Sequence, residues 1–284
     1  MNEILYDIKN LKCSYNQNSI ILQIDDLQIP RGKIVVLLGV SGSGKSTFIE
    51  TLGIMNNTIL SGEIRFYPRS DSKAIDLQSL WDKKKQTLIS KIRNQHLSFI
   101  FQSTNLMPNF SGIENICISQ LIQGLSLDEA SKNARRFMNE VKLNGLDISR
   151  DSILFSGGER QRIAFVRAIS PEFSVLFGDE PTGNLDEFNS RELMLVIKNI
   201  IAKTGRTAII VSHNIKLAIE FADHIYILTK RCENSPGIIL NEHNLRKNES
   251  DKWYDYAGNE IIKTYEFVSN AIKYNDLNNK TSLK

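Results

Sequence analysis

Residues 34–47 read Ile-Val-Val-Leu-Leu-Gly-Val-Ser-Gly-Ser-Gly-Lys-Ser-Thr, and the helix-like Phe48-Ile49-Glu50-Thr51-Leu52 follows at once. An apolar, buried-strand-like run thus ends in G-x-x-x-x-G-K-[ST]. Strand before and helix after is the context that separates a phosphate loop from an ordinary Gly/Ser turn. Gly39, Gly42 and Gly44 let the backbone curl until its N–H groups point at phosphate oxygens, and the next helix turns its positive end to the same anion. Lys45 can reach the β- and γ-phosphates, the Ser46 hydroxyl can ligate Mg²⁺, and Ser41, Ser43 and Thr47 complete the loop. The stretch predicts a nucleoside triphosphate site on an α/β core.

With 284 residues and 41% hydrophobic content, the chain can bury one substantial core and a small second lobe. No apolar run approaches the roughly 18 to 20 residues that a membrane helix needs, and residues 1–7 are too acidic and broken for a signal peptide. Work at a membrane would need a span supplied by another chain. Cys13, Cys117 and Cys232 lack C-x-x-C spacing and companion histidines, which indicates neither a zinc site nor a disulfide framework and suits a reducing cytosol. The net charge of +3 is mild. The cluster Lys83-Lys84-Lys85 with Lys91 and Arg93 reads as a solvated helix face, so no nucleic-acid partner is expected.

Residues 4–8 and 20–24 are short Ile/Leu-rich pieces between polar turns and predict a small antiparallel sheet ending at Pro30-Arg31-Gly32. Val175-Leu176-Phe177 and Ala208-Ile209-Ile210-Val211 read as buried strands around a helix over 190–203, which argues for a mainly parallel sheet. Residues 103–170 read as a helical lobe. Within it Ser126-Leu127-Asp128-Glu129 is a capping box, after which Ala130, Ala134, Phe137, Met138 and Val141 share one face. From about Asn241 the chain turns polar. Ile261, Tyr265, Val268 and Ile272 then fall at helical spacing behind Trp253, Tyr254 and Tyr256, which predicts a helix packed on the chain's own core, with a regulatory or dimer contact as the alternative.

Val175-Leu176-Phe177-Gly178-Asp179-Glu180 is a strand ending in two carboxylates. Asp179 can hold Mg²⁺ through its water shell, and Glu180 can orient and deprotonate an attacking water. In Phe155-Ser156-Gly157-Gly158-Glu159-Arg160-Gln161-Arg162, Ser156 and Glu159 make a second capping box while the glycines bare a helix N-terminus, an anion site.

These segments, with Gly-Asp-Glu-Pro-Thr-Gly-Asn-Leu-Asp at 178–186 and Val-Ser-His at 211–213, resemble the ATP-binding cassette (ABC) ATPases in the correct order over roughly residues 4 to 230. The resemblance implies a P-loop ATPase that uses ATP and Mg²⁺ as a head-to-tail dimer. In that dimer Ser156, Gly157, Gly158 and Glu159 of one subunit would close over the ATP held by Lys45 of the other. It implies Gln102 as metal ligand and sensor, Asp186 as a contact across the dimer, and His213 as the γ-phosphate switch. Tyr15 is the expected aromatic platform for adenine, against the plainer reading of a surface or core tyrosine. The domain reading is 1–240 for the ATPase unit, with a helical subdomain at about 103–170, and 241–284 for a polar, partly helical extension.

Arg93-Asn94-Gln95-His96-Leu97-Ser98-Phe99-Ile100-Phe101-Gln102, Asn105-Leu106-Met107-Pro108-Asn109-Phe110, Glu114-Asn115 and Gly183-Asn184-Leu185-Asp186 are similar to the lipoprotein-releasing, macrolide-exporter and cell-division ATPase subgroup. Phe155 stands where that pattern has Leu, Ser98 where it has Gly, and residues 68–91 form a longer polar and basic stretch. The subgroup implies a peripheral subunit on the cytoplasmic face of the inner membrane, where a separate permease inserts a short helix near residues 102–115. The alternative is a mechanical signalling ATPase whose partner activates a cell-wall hydrolase. A chromosome-maintenance ATPase would need a coiled-coil insertion that the gap from Lys45 to Ser156 cannot hold, and a translation factor would need a second phosphate loop.

Overall fold

The computed structural model describes residues 3–16, 19–82, 85–183, 185–232 and 234–281; Lys83, Lys84 and Asn184 lie outside the described residues. The chain starts with β1 (Ile4–Cys13) and β2 (Leu22–Pro30), antiparallel as expected but longer. β1 continues past Ile8 through an irregularity at Asn10, whose φ is 49°. Opposite it, a Cβ on Gly62 would lie 2.4 Å from the Asn10 carbonyl oxygen, so only glycine lets the partner strand pass. The elements that follow are β3 (Ile34–Gly39), α1 (Lys45–Leu52), β4 (Ile59–Phe66), β5 (Ile75–Asp76), α2 (Leu77–Asp82), α3 (Gln86–His96) and β6 (Leu97–Ile100). The helical stretch then gives α4 (Gly112–Ile122), α5 (Leu127–Glu140) and α6 (Gly157–Ile169). After it come β7 (Val175–Asp179), α7 (Glu187–Thr204), β8 (Thr207–Ser212), α8 (Ile215–Phe221), β9 (His224–Lys230), β10 (Gly237–Ile239), β11 (Leu245–Lys247), β12 (Trp253–Asp255) and α9 (Thr264–Thr281).

β9, β3, β8, β7 and β6 run parallel in that order, and β10 joins this block to the antiparallel β2, β1, β4 and β5. Side chains alternate across the parallel block. Ile34, Val36 and Leu38 of β3 enter one core with Leu176, Ala208 and Ile210, whereas Val35 and Leu37 enter a second with Val175, Phe177, Ile209 and Val211. The first core is covered by α4 to α9 and the second by α1 to α3 and the antiparallel strands. A sheet buried on both faces needs near-continuous apolar strands, which is how the three runs read in the sequence.

Two stretches pack more deeply than their polarity suggests. Residues 68–91 contribute β5, α2 and part of α3, and Leu77, Leu80 and Ile89 are buried in the second core while Lys85 and Lys91 stay exposed. The segment after Asn241 continues the same sheet: β11 pairs with β9 through Leu245 and Ile225, and Leu245, Trp253, Val268 and Ala271 join the first core. Tyr265 departs from the expected stripe. Val268 is fully buried, but the Tyr265 ring is 51% exposed because it stands at the edge of the packed face. Among the described residues no helix is long and apolar enough to cross a membrane.

Candidate functional site

The loop between β3 and α1 is shaped by what its glycines lack. A Cβ on Gly39 would lie 2.4 Å from the Leu228 carbonyl oxygen, so the chain can leave β3 against β9 only without a side chain. Gly42 and Gly44 take left-handed φ values of 71° and 99°. α1 begins at Gly44 with no side-chain cap and no acidic residue in its first turn, which leaves its amide dipoles for an external anion. Lys45 is buried, and its Nζ donates to the carbonyl oxygens of Gly39 and Val40 at 2.9 Å each. Burial lowers its pKa, and the carboxylates of Glu180 and Asp179 oppose that shift. The Ser43 hydroxyl is buried without a hydrogen-bond partner. A curled glycine backbone, an inward ammonium and an orphaned hydroxyl fit a triphosphate.

Two carboxylates face this loop from the end of β7. The Ser46 hydroxyl donates to Asp179 Oδ2 at 3.4 Å, and the Asp179 pKa is raised, first by burial and then by Glu180. Removing two carboxylates from water beside each other calls for a compensating cation, and Ser46 and Asp179 offer it oxygen donors. Among the described residues no group of three His, Cys, Asp or Glu could hold a metal ion by itself. Such a sparse donor set fits Mg²⁺, which keeps several waters and takes further oxygens from substrate phosphates.

Glu180 has φ 49°, a left-handed conformation that costs a non-glycine residue on the order of 1–3 kcal/mol and collects at functional sites. Its N–H donates to the Val211 carbonyl at 3.0 Å and its own carbonyl accepts from Gly183 at 3.0 Å, so β8 and the following turn hold it there. Glu180 Oε1 lies 2.5 Å from His213 Nε2. A Cβ on Gly183 would lie 3.5 Å from both Glu180 Oε2 and Gln102 Nε2, so the glutamine after β6 converges on the same place. A cleft of about 610 Å³ opens beside this cluster, lined among others by Glu180, Gly183, Ser212, His213 and Tyr265. Tyr265 belongs to no motif read from the sequence.

The other predicted residues stand elsewhere on the surface. Ser156 caps α6 in the expected reciprocal box: Glu159 N–H donates to its hydroxyl at 3.3 Å, and its own N–H donates to Glu159 Oε2 at 2.7 Å. A Cβ on Gly157 or Gly158 would meet nothing within 4 Å, so this helix start is bare. None of Ser156, Gly157 and Gly158 lines the Glu180 cleft. Asp186 accepts from the Asn189 N–H at 2.8 Å as cap of α7, and Arg162 of α6 donates to Asn189 Oδ1 at 2.7 Å. Gln161 donates to the Pro181 carbonyl at 3.0 Å, which ties α6 to the turn after Glu180. Tyr15 is 52% exposed, with its hydroxyl donating to Glu50 Oε2 at 2.7 Å.

Near residues 102–115 the structure has a groove of about 340 Å³, lined by Phe101, Met107, Ile118, Ile122 and Arg167 among others. The lining from α4 and α6 was not read from the sequence. Its signal was the apolar Ile118 and Ile122, which leave Ile122 64% exposed. Arg167 donates to the carbonyls of Thr104 and Asn105 at 2.7 and 2.8 Å, so α6 clamps the loop beside the groove. Glu114, exposed in this segment, completes a capping box with Ser111 at the start of α4.

The ABC transporter family model matches residues 22–183. The lipoprotein-releasing system ATP-binding protein LolD of Zymomonas mobilis is 36% identical over 215 residues, which cover 75% of this chain and 88% of that relative. LolD of Porphyromonas gingivalis is 34% identical over 215 residues, covering 76% and 92%. The dimeric structure of MJ0796, a bacterial ABC transporter cassette, superposes with a TM-score of 0.68 at 28% identity, over 78% of this chain and 94% of that one. A dimeric post-hydrolysis state of the same cassette, bound to ADP and Pi, gives 0.69 at 26% identity over 83% and 96%.

Proposed function

Because the chain belongs to the ABC transporter family of ATP-binding subunits, we propose that it powers lipoprotein release through a separate permease, with the residues around Lys45 and Glu180 carrying out the hydrolysis. The lipoprotein cargo follows the printed function of its LolD relatives. The observation that carries the site assignment is the convergence of Lys45, Ser46, Asp179, Glu180, Gln102 and His213 from separate segments at one end of the parallel strands.

In this reading Lys45 turns from the Gly39 and Val40 carbonyls to the β- and γ-phosphates, while the amides at the start of α1 receive phosphate oxygens. Ser46, Asp179 and Gln102 would hold Mg²⁺, which would supply positive charge against the phosphates. Glu180 takes a proton from the attacking water, and His213, at 2.5 Å, orients that carboxylate and senses the γ-phosphate. Tyr15 stacks on adenine. Ser156, Gly157, Gly158 and Glu159 serve the partner subunit's nucleotide, which suits a bare helix start remote from the chain's own cleft, and Asp186 adds a contact across the dimer. α6 runs from that helix start to the Arg167 clamp at the groove, so closure of two subunits would move the permease helix seated there. The subunit then sits peripherally on the cytoplasmic face of the inner membrane, with residues 1–240 as the ATPase unit and 241–284 as an extension built onto it.

The test is a pair of variants. Glu180→Gln keeps the phosphate loop but loses the base, so hydrolysis should fall by about 10²- to 10⁴-fold and light scattering should show a dimer that persists in ATP. Lys45→Ala should weaken ATP binding by calorimetry and give no such dimer. Unchanged hydrolysis in Glu180→Gln, or unchanged ATP affinity in Lys45→Ala, contradicts the assigned roles.

A further inference from the structure

The phosphate loop rests on a hairpin that belongs to none of the motifs of the site. β9 and β10 pair antiparallel, with Gly237 opposite Lys230 and Ile239 opposite Leu228, and both strands lie beyond residue 183, where the family match ends. Two close approaches join this hairpin to the loop. A Cβ on Gly39 would lie 2.4 Å from the Leu228 carbonyl oxygen, and a Cβ on Gly237 would lie 1.8 Å from the Ser43 carbonyl oxygen and 3.0 Å from its carbonyl carbon. Gly237 is buried and Ser43 fully so, and backbone meets backbone there with no flexible side chain to give way. The stitching continues one residue on: the Gly237 N–H donates to the Ile21 carbonyl at 2.8 Å, and that same oxygen lies 3.4 Å from where a Cβ on Gly44 would stand.

Which side yields to a side chain at 237 follows from what holds each. β10 is held along both edges, by β9 and by the parallel β2, besides the bond to Ile21. Ser43 is held by less: its N–H makes a 3.3 Å bond to the Val40 carbonyl, and its buried hydroxyl has no partner. Added bulk at 237 therefore pushes on Ser43, and through it on Gly44 and Lys45, whose amides and ammonium meet the phosphates. We propose that Gly237 is a positioning residue for nucleotide binding: its bare Cα lets the β9–β10 hairpin act as a rigid floor that sets the Ser43 carbonyl and with it the aim of the loop. The proposal rests on the functional reading above.

The experiment is calorimetric titration of the full chain with ATP, at a temperature where melting curves show each variant folded. Gly237→Ala should weaken ATP binding about tenfold or more, the worth of one hydrogen bond to a charged phosphate oxygen. Gly62→Ala is the control for a clash of the same kind elsewhere, since its Cβ would lie 2.4 Å from the Asn10 carbonyl oxygen between β4 and β1. It should lower the melting temperature and leave ATP affinity as in the wild type. If Gly237→Ala does not fold, Ile239→Ala takes its place, because it only shortens a side chain by which β10 is anchored in the second core; it should also weaken ATP binding. Wild-type affinity in the folded Gly237→Ala, or in Ile239→Ala where that replaces it, overturns the proposal, and so does an equal loss of affinity in Gly62→Ala. Wild-type chain is titrated alongside: if it binds no ATP, the functional reading fails and the proposal with it, whereas a binding wild type with an unaffected Gly237→Ala contradicts the proposal alone.

Discussion

Lys45, Asp179 and Glu180 were legible as candidates because each stands at a fixed offset from a strand, and strands are visible as apolar runs, whereas His213 was expected only from the family resemblance. The left-handed backbone at Glu180 and its contact with His213 were not, since both depend on how β7 and β8 pair. Tyr265 was misplaced on the buried stripe because helical period gives a face and says nothing of which edge of that face opens into a cleft. His224 carries no motif and went unread. It starts β9, where burial pushes its pKa down from 6.5 to about 4 and Lys33 and Arg246 add to the shift against the pull of Asp223. The imidazole is thus neutral in the fold and protonates more easily once unfolded. Its contribution is fully present above pH 6.5 and is lost as pH falls towards 4, up to about 3 kcal/mol. Urea midpoints across that range should fall with acid, and His224→Gln should flatten the fall; parallel curves for the two proteins would show that His224 is not responsible.

At the scale of elements, the helix starts were the best-read feature and also the site of one omission. The boxes at Ser126 and Ser156 form as expected, and the same Ser-x-x-Glu signal at 111–114, not read in the sequence, forms a third. Two departures from the family pattern find local reasons. The Phe155 ring packs within 3.1 Å of where a Cβ on Gly112 would stand, so a larger residue fits because α4 begins with glycine. The Ser98 hydroxyl donates to the Ala168 carbonyl at 2.6 Å and joins β6 to the end of α6. The Glu114 box makes a clear division between stability and partner binding. Glu114→Lys should lower the melting temperature, because it removes the bonds to Ser111 and puts a cation at a helix N-terminus. Ile122→Asp, at an exposed position in the groove, should leave melting unchanged and abolish stimulation by the permease. If stimulation survives Ile122→Asp, the permease docks elsewhere.

At the scale of the molecule, strands read one at a time gave a parallel sheet, and pairing order supplied what single strands could not. β3 lies between β9 and β8, with β7 and β6 beyond, so the segments that follow β3, β6, β7 and β8 meet at one edge. That order also explains why residues after Asn241 were underestimated: β11, only three residues long, adds to β9, a neighbour of the phosphate-loop strand, through two residue pairs. In the proposed reading the chain is a motor with two working surfaces, a nucleotide edge and a groove, joined by α6. A partner can raise hydrolysis only by binding the closed dimer better than the open one. The direct test is phosphate release by the purified chain with and without its permease in lipid vesicles. The account predicts slow release alone and a several-fold rise with permease that Glu180→Gln abolishes; full activity of the isolated chain, unchanged by the permease, would contradict it.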